Sequence, residues 1–166
     1  MKILVFSDSH GKSVNIQKAL EMHSDARYLL HLGDGVADLD DIDLGDKKTY
    51  AINGNFEDSF FYTKNGLPFQ CIDIEGKRIF MCHGHRQKVS YGLQNLCYNA
   101  LENEADVALY GHTHAKYDKY IPFEQKGLHV FNPGSISRPR DSVYPSYGII
   151  EVQKNGILFS HGLIKS

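Results

Sequence analysis

The densest run of reactive side chains in the sequence is Tyr110-Gly111-His112-Thr113-His114. Two imidazoles two residues apart lie on one side of an extended segment, whereas on a helix they diverge by about 200°. The glycine before them permits close backbone approach, so both rings can reach one metal centre. In isolation such a pair is most often two surface histidines, but here the pattern recurs. Asp8 and His10 repeat the same offset, as do His83 and His85, while Gly33-Asp34-Gly35 and Gly54-Asn55 place two more oxygen ligands beside glycine. Of nine histidines, five fall in these clusters; His23, His31, His129 and His161 stand alone and read as surface or packing residues.

Each cluster follows an apolar run: Lys2–Phe6, Tyr28–Leu32, Thr49–Asn53, Lys77–Cys82 and Val107–Tyr110. The first of these, Lys2–Phe6, is continuous, as suits a strand covered on both faces. Helical periodicity appears from Ser13 to His23 (Val14, Ala19, Leu20, Met22) and from Ser90 to Asn103 (Leu93, Leu96, Cys97, Ala100, Leu101). Phe69–Ile74 and Lys77–Cys82 flank Glu75-Gly76 as a hairpin. Tyr117–Phe123 pairs through Gln125-Lys126-Gly127 with Leu128–Phe131, and Ser146–Val152 turns at Lys154-Asn155-Gly156 into Ile157–Leu163. The acidic stretch Asp38 to Asp46 reads as a solvated loop or short helix without chemistry. The pattern implies an α/β chain, residues 1–166 forming one domain, with two sheets packed face to face and helices outside.

In such sheets, sites form beyond the carboxyl ends of the strands, which is where all five clusters fall. Their ligands are nitrogen and oxygen without thiolate, suited to manganese, iron, cobalt, nickel or zinc rather than a cysteine-built structural zinc. Even seven of these eight side chains exceed the needs of one tetrahedral ion, and two ions sharing a carboxylate fit better. A dinuclear pair ~3.5–4 Å apart serves phosphoester displacement by activating water and neutralising phosphoryl charge.

Composition narrows the setting. With 18 basic against 20 acidic residues the net charge is −2, so neither nonspecific nor sequence-specific nucleic-acid binding is expected. Three cysteines, Cys71, Cys82 and Cys97, form no C-x-x-C and leave one over, which suits a reducing compartment. No apolar stretch approaches the ~18 residues of a membrane span, and Ser7 and Asp8 break the N-terminal run before it could act as a signal peptide. The expected location is cytoplasmic.

In order, Asp8-x-His10, Gly33-Asp34, Gly54-Asn55, His83-Gly84-His85 and Gly111-His112-Thr113-His114 resemble the motifs of the calcineurin-like metallophosphoesterase superfamily, and within it the small phosphodiesterases of the YfcE type. The resemblance spans the chain, including Asn132-Pro133-Gly134-Ser135 and Pro139-Arg140. It implies a sandwich of two mixed β-sheets flanked by helices. It also implies two divalent metal ions, manganese first and zinc, iron, nickel or cobalt as alternatives. Asp8, His10 and His114 would hold one, Asn55, His83 and His112 the other, and Asp34 would bridge both. A metal-bridging hydroxide would attack a small phosphodiester in line. Asn55 would also contact the scissile phosphate, His85 would orient substrate or move a proton, and Ser135 and Arg138 would help form the mouth. Phe60 to Pro68 and Ser135 to Pro145 would shape the pocket, and exposed edges in the C-terminal half would suit a homo-oligomer.

One departure carries chemical weight. Phosphoprotein phosphatases of the superfamily carry G-N-H-[DE], whose histidine helps protonate the leaving group; here the segment is Gly54-Asn55-Phe56-Glu57. Phe56 cannot act as an acid, which implies substrates with good leaving groups. The alternatives are a phosphomonoesterase or a non-catalytic protein-interaction scaffold like the retromer subunit Vps29, which is similar in size and fold. Against the scaffold, every metal-ligand position carries a competent side chain.

Overall fold

Lys2–Phe6 forms the first strand, β1, apolar and fully buried from Ile3 to Phe6 because both faces are covered there. Ile3 and Val5 join the core shared by two sheets, whereas Leu4 and Phe6 pack with Ile16, Ala19 and Leu20 of the helix that follows, α1 (Ser13–Met22). The computed structural model describes residues 1–59, 67–124 and 126–165. The expected pocket loop from Phe60 therefore lies mostly outside the described residues, as does Gln125 of the expected turn.

After α1 come β2 (Tyr28–His31), a 3-10 helix at Val36–Asp41, β3 (Lys48–Ala51) and the short α2 (Asn55–Ser59). The hairpin β4 (Phe69–Ile74) and β5 (Lys77–Cys82) leads to α3 (Gln94–Glu102) and β6 (Val107–Leu109). The chain ends with β7 (Lys116–Ile121), β8 (Leu128–Pro133), β9 (Ser146–Gln153) and β10 (Gly156–Leu163). One sheet runs β10-β9-β1-β2-β3 and the other β4-β5-β6-β8-β7. Both are mixed, and helices flank the pair, as the resemblance implies.

Parallel pairing aims the loops. β1, β2 and β3 are parallel neighbours, as are β5, β6 and β8, so each set releases its loops at one end. The hairpin turns at Glu75 and Gly76, with φ of 51° and 73°, the positive-φ pair of a two-residue type I′ turn. Among the described residues no helix is long and apolar enough to cross a membrane.

Two helices differ from the sequence pattern. α3 begins at Gln94 rather than Ser90, because Gly92 adopts φ 144° and separates it from a single 3-10 turn at Val89–Tyr91. In α1, Val14 and Met22 are both 56% exposed; the buried face is Ile16, Ala19 and Leu20, and Val14 stands about 200° round the helix from Ile16.

His31, at the end of β2, is fully buried and does more than fill space. Its Nδ1 accepts from the Gly33 N–H (3.2 Å), Nε2 donates to Ser9 Oγ (3.1 Å), and that hydroxyl donates to the Gly35 carbonyl (3.1 Å). This arrangement requires a neutral ring, and burial pushes the His31 pKa down to about 4. The unfolded chain takes up a proton below its ordinary pKa of ~6.5 and the native chain does not, so stability is full above that pH and falls as pH drops toward 4. The expected loss across this window is about 3 kcal/mol. Urea unfolding of metal-free protein from pH 7 to 4.5 checks it: a His31→Gln variant should show a distinctly shallower pH slope than wild type.

Candidate metal centre

The loops leaving β1, β2, β3, β5 and β6 meet at one end of the sandwich. Backbone bonds tie them: Asp8 N–H to the Gly33 carbonyl (3.0 Å), His10 N–H to Asp34 (3.1 Å) and Gly111 N–H to His83 (2.9 Å). The spacing suggests extended i, i+2 pairs; the structure differs. Asp8, His10, Asp34, His112 and His114 all hold positive φ, at 56°, 43°, 56°, 65° and 57°. For residues with a Cβ this left-handed conformation costs on the order of 1–2 kcal/mol each, and it persists where surrounding contacts enforce it. Gly111 is one such constraint: a Cβ there would collide with Ser7 Oγ and stand 2.9 Å from Asp8 Oδ2.

The two buried carboxylates divide their oxygens in the same way. Asp8 Oδ2 accepts from Ser7 Oγ (2.5 Å) and the His112 N–H (3.1 Å), while among the described residues Oδ1 accepts no hydrogen bond. Asp34 Oδ1 accepts the Phe56 N–H (2.8 Å), leaving Oδ2 between His83 Nε2 (3.5 Å) and His10 Nε2 (3.9 Å). Burial opposes ionisation of both. For Asp8 it is outweighed by His114, His83 and the Ser7 hydroxyl, holding the pKa below its usual value. For Asp34 it is outweighed chiefly by His83 and the Phe56 N–H, bringing the pKa to about 2.

The histidines are held by their far nitrogens. His83 Nδ1 donates to the Leu32 carbonyl (2.7 Å) and His114 Nδ1 to that of Arg138 (2.8 Å). A carbonyl only accepts, so in each neutral ring Nε2 presents a lone pair to the cluster. His114 Nε2 lies 3.2 Å from the unsatisfied Asp8 Oδ1, which is 3.8 Å from His83 Nε2. Asn55 Oδ1 stands 3.1 Å from His83 Nε2 and 3.0 Å from His112 Nδ1. Lone pairs converge here, an arrangement that favours a positive charge among them. The His114 pKa is raised by its Asp8 neighbour against the effect of burial; that of His83 is raised by Asp34 and Asp8, although burial is the largest single influence and opposes it. Burial lowers those of His10 and His112.

The potential ligand atoms form two groups, Asp8–His10–His114 and Asp8–Asp34–His83, each with its atoms within 4.8 Å of one another. Nitrogen and oxygen donors, one carboxylate oxygen without a hydrogen bond and imidazoles braced from behind fit a divalent cation. His85 sits at the rim: its Nε2 lies 3.1 Å from Asp58 Oδ2, which also accepts from Arg86 (2.9 Å). Ser135 requires a correction. It is fully buried, and its hydroxyl donates to the Asp8 carbonyl (2.8 Å) and accepts the Arg138 N–H (2.8 Å), so it braces the Asp8 loop rather than facing substrate. Arg138 is exposed and lines the groove with Pro139 and Arg140.

Sequence reasoning missed the residue that joins two of these loops. Glu57, 3% exposed, accepts four backbone N–H groups: Asp34 (2.8 Å), Gly35 (2.6 Å), Val36 (3.0 Å) and Gly54 (2.8 Å). The signal was present, since a glutamate three residues after the residue preceding a helix is half of a capping box. Asp38, assigned no chemistry, is also buried and accepts the Gly11 N–H (2.9 Å).

Residues 1–155 match the calcineurin-like phosphoesterase superfamily domain. The chain belongs to that superfamily. The phosphodiesterase YfcE of Escherichia coli K12 is 32% identical over 174 residues, covering 91% of this chain and 88% of that protein. Among solved structures of this fold, a predicted phosphoesterase of Streptococcus pneumoniae superposes with a TM-score of 0.75 at 25% identity, over 96% of this chain and 87% of its own. Vps29 of Chaetomium thermophilum reaches 0.70 at 18% identity, over 99% and 95%, a likeness of fold alone. Metallophosphoesterases thus share this chain's architecture, and its candidate metal centre lies within the matched region.

Glu57→Ala would strip a charged acceptor from four N–H groups. It should lower unfolding free energy by at least about 3 kcal/mol, read by urea denaturation. It should also weaken Mn²⁺ binding measured by calorimetry, with Glu57→Gln intermediate in both.

Proposed function

We propose that this chain is a phosphodiesterase working with two divalent cations, manganese foremost. Asp8, His10 and His114 would hold one, Asn55, His83 and His112 the other, with Asp34 between them. The convergence of Asp8 Oδ1, Asp34 Oδ2 and the His83 and His114 Nε2 lone pairs, without protons enough to share, carries this reading. Bound cations would supply Lewis acidity toward the phosphoryl oxygens and activate a water for in-line attack. Asp34 Oδ2, nearly equidistant from His10 and His83, supports the shared position.

The chain's own groups complete the site. Arg138 and Arg140 line the groove over the cluster, and among the described residues neither guanidinium has an ion-pair partner, which favours an anionic substrate. Asn55 is set at the start of α2, its Oδ1 shared between His83 and His112, and is placed to contact a phosphoryl oxygen. His85, with Nε2 engaged by Asp58, can orient substrate or relay a proton. Phe56, half-exposed and packed edge-on to His10 with ring centroids 6.2 Å apart, brings no acid to the leaving group. The scaffold reading draws on the fold shared with Vps29; the intact ligand set favours catalysis.

Chelator-treated protein should hydrolyse bis(p-nitrophenyl) phosphate only after Mn²⁺ is restored, and Asp34→Asn should lower kcat/KM by at least about 100-fold. Restored activity unaffected by Asp34→Asn would refute the shared carboxylate. Because Phe56 itself supplies no acid, phosphoserine should turn over at least about 100-fold more slowly than the activated diester; the opposite order would overturn the diester assignment.

A further inference from the structure

Asn132, one residue before the end of β8, is fully buried, and both polar atoms of its side chain are engaged. Nδ2 donates to the Gly111 carbonyl (3.0 Å) and to Thr113 Oγ1 (3.1 Å), and Oδ1 accepts the Gly134 N–H (2.8 Å). A carbonyl only accepts and a backbone N–H only donates, so these partners fix which way the side-chain amide faces. The Asn132 carbonyl in turn accepts from Nε2 of His161 on β10 (2.8 Å), whose ring stacks on Phe131 with centroids 4.6 Å apart. The amide is thus held from behind where it meets the loop after β6.

That loop is strained. The Thr113 N–H donates to the Gly111 carbonyl (2.7 Å) across His112, whose φ is 65°. A bond of this span about a central residue of positive φ is a γ-turn of the rarer, strained hand. His112 stands at its apex. Asp8 and His83 take the N–H groups of His112 and Gly111, while Asn132 takes the oxygens at both ends, the Gly111 carbonyl and the Thr113 hydroxyl. Relaxation of the turn to negative φ would swing the His112 imidazole away from Asn55 Oδ1, 3.0 Å from its Nδ1. His114 is anchored elsewhere: its Nδ1 donates to the Arg138 carbonyl (2.8 Å), and its own carbonyl accepts the Arg140 N–H (2.9 Å). The two histidines of one loop therefore hang on different braces.

We propose that Asn132 is a positioning residue for one of the two cations. By clamping the His112 turn it keeps the Asn55–His83–His112 position assembled, while the Asp8–His10–His114 position does not depend on it. This inference rests on the two-cation reading and adds to it a residue outside the ligand set.

The test titrates full-length, metal-free protein with Mn²⁺ by isothermal titration calorimetry and records electron paramagnetic resonance spectra of the loaded protein. Wild type should bind two ions and show the spectrum of an exchange-coupled manganese pair. Asn132→Ala should weaken one binding event by about tenfold or more, as for other groups that orient metal ligands, and leave the other unchanged; its spectrum should become that of an uncoupled ion. In a His112→Ala background, Asn132→Ala should not alter binding of the remaining ion. Val130→Ala, two residues back on β8 and fully buried, should lower the melting temperature yet leave both affinities unchanged, which separates the clamp from a loss of stability. Should Asn132→Ala not fold, Thr113→Val decides in its place: loss of the hydroxyl should weaken the same event by about threefold or more, and Thr113→Ser should restore it. Unchanged affinities in the deciding variant, or equal weakening of both ions, would overturn the clamp alone. Fewer than two ions in wild type would overturn the two-cation reading beneath it.

Discussion

The structure depends on two buried carboxylates that each have one oxygen committed to the scaffold. Asp8 Oδ2 and Asp34 Oδ1 are fixed by hydrogen bonds from Ser7 and His112 and from Phe56. Their second oxygens face imidazole nitrogens whose own protons point away from the cluster. An anion in this environment is costly without compensating charge. Asp34 and Asp8 raise the His83 pKa, and Asp8 that of His114, each against the effect of burial. A divalent cation meets the same demand without asking both imidazoles to surrender their lone pairs.

The surrounding structure serves that arrangement. Five candidate ligands sit in left-handed backbone, and the constraints that hold them there come from both sheets. His112 donates its N–H to Asp8, Ser135 holds the Asp8 carbonyl, and His83 reaches across to Leu32. Glu57 gathers the Asp34 and Asn55 loops on a single carboxylate, and His31 braces Ser9 against Gly33. Rigidity of this kind suits a site whose ligands must keep their geometry as charge develops on a phosphoryl group.

Much of this was legible in the sequence for simple reasons. Apolar runs such as Lys2–Phe6 and Val107–Leu109 mark buried strands, and the reactive clusters fall at their carboxyl ends, where a parallel sheet gathers loops. Conformation at those clusters was not legible. The i, i+2 spacing of His112 and His114 suggests extended chain, whereas positive φ at both is imposed by contacts from residues distant in sequence. Ser135 reads as a mouth residue by proximity to Arg138, yet its hydroxyl turns inward to the Asp8 carbonyl. Glu57 was legible only as half of a capping box with Gly54; the fold alone brings the Gly33-Asp34-Gly35 turn onto it. The start of α3 turns on Gly92, whose φ of 144° breaks a periodicity that otherwise runs on from Ser90.

The most direct test of the paired-carboxylate account is anomalous diffraction from crystals grown with Mn²⁺. The account expects two manganese peaks about 3.5–4 Å apart, one near Asp8 Oδ1, His10 and His114, the other near His83, Asn55 and His112, with Asp34 Oδ2 between them. A single peak, or none within reach of Asp8 Oδ1 and Asp34 Oδ2, would contradict it.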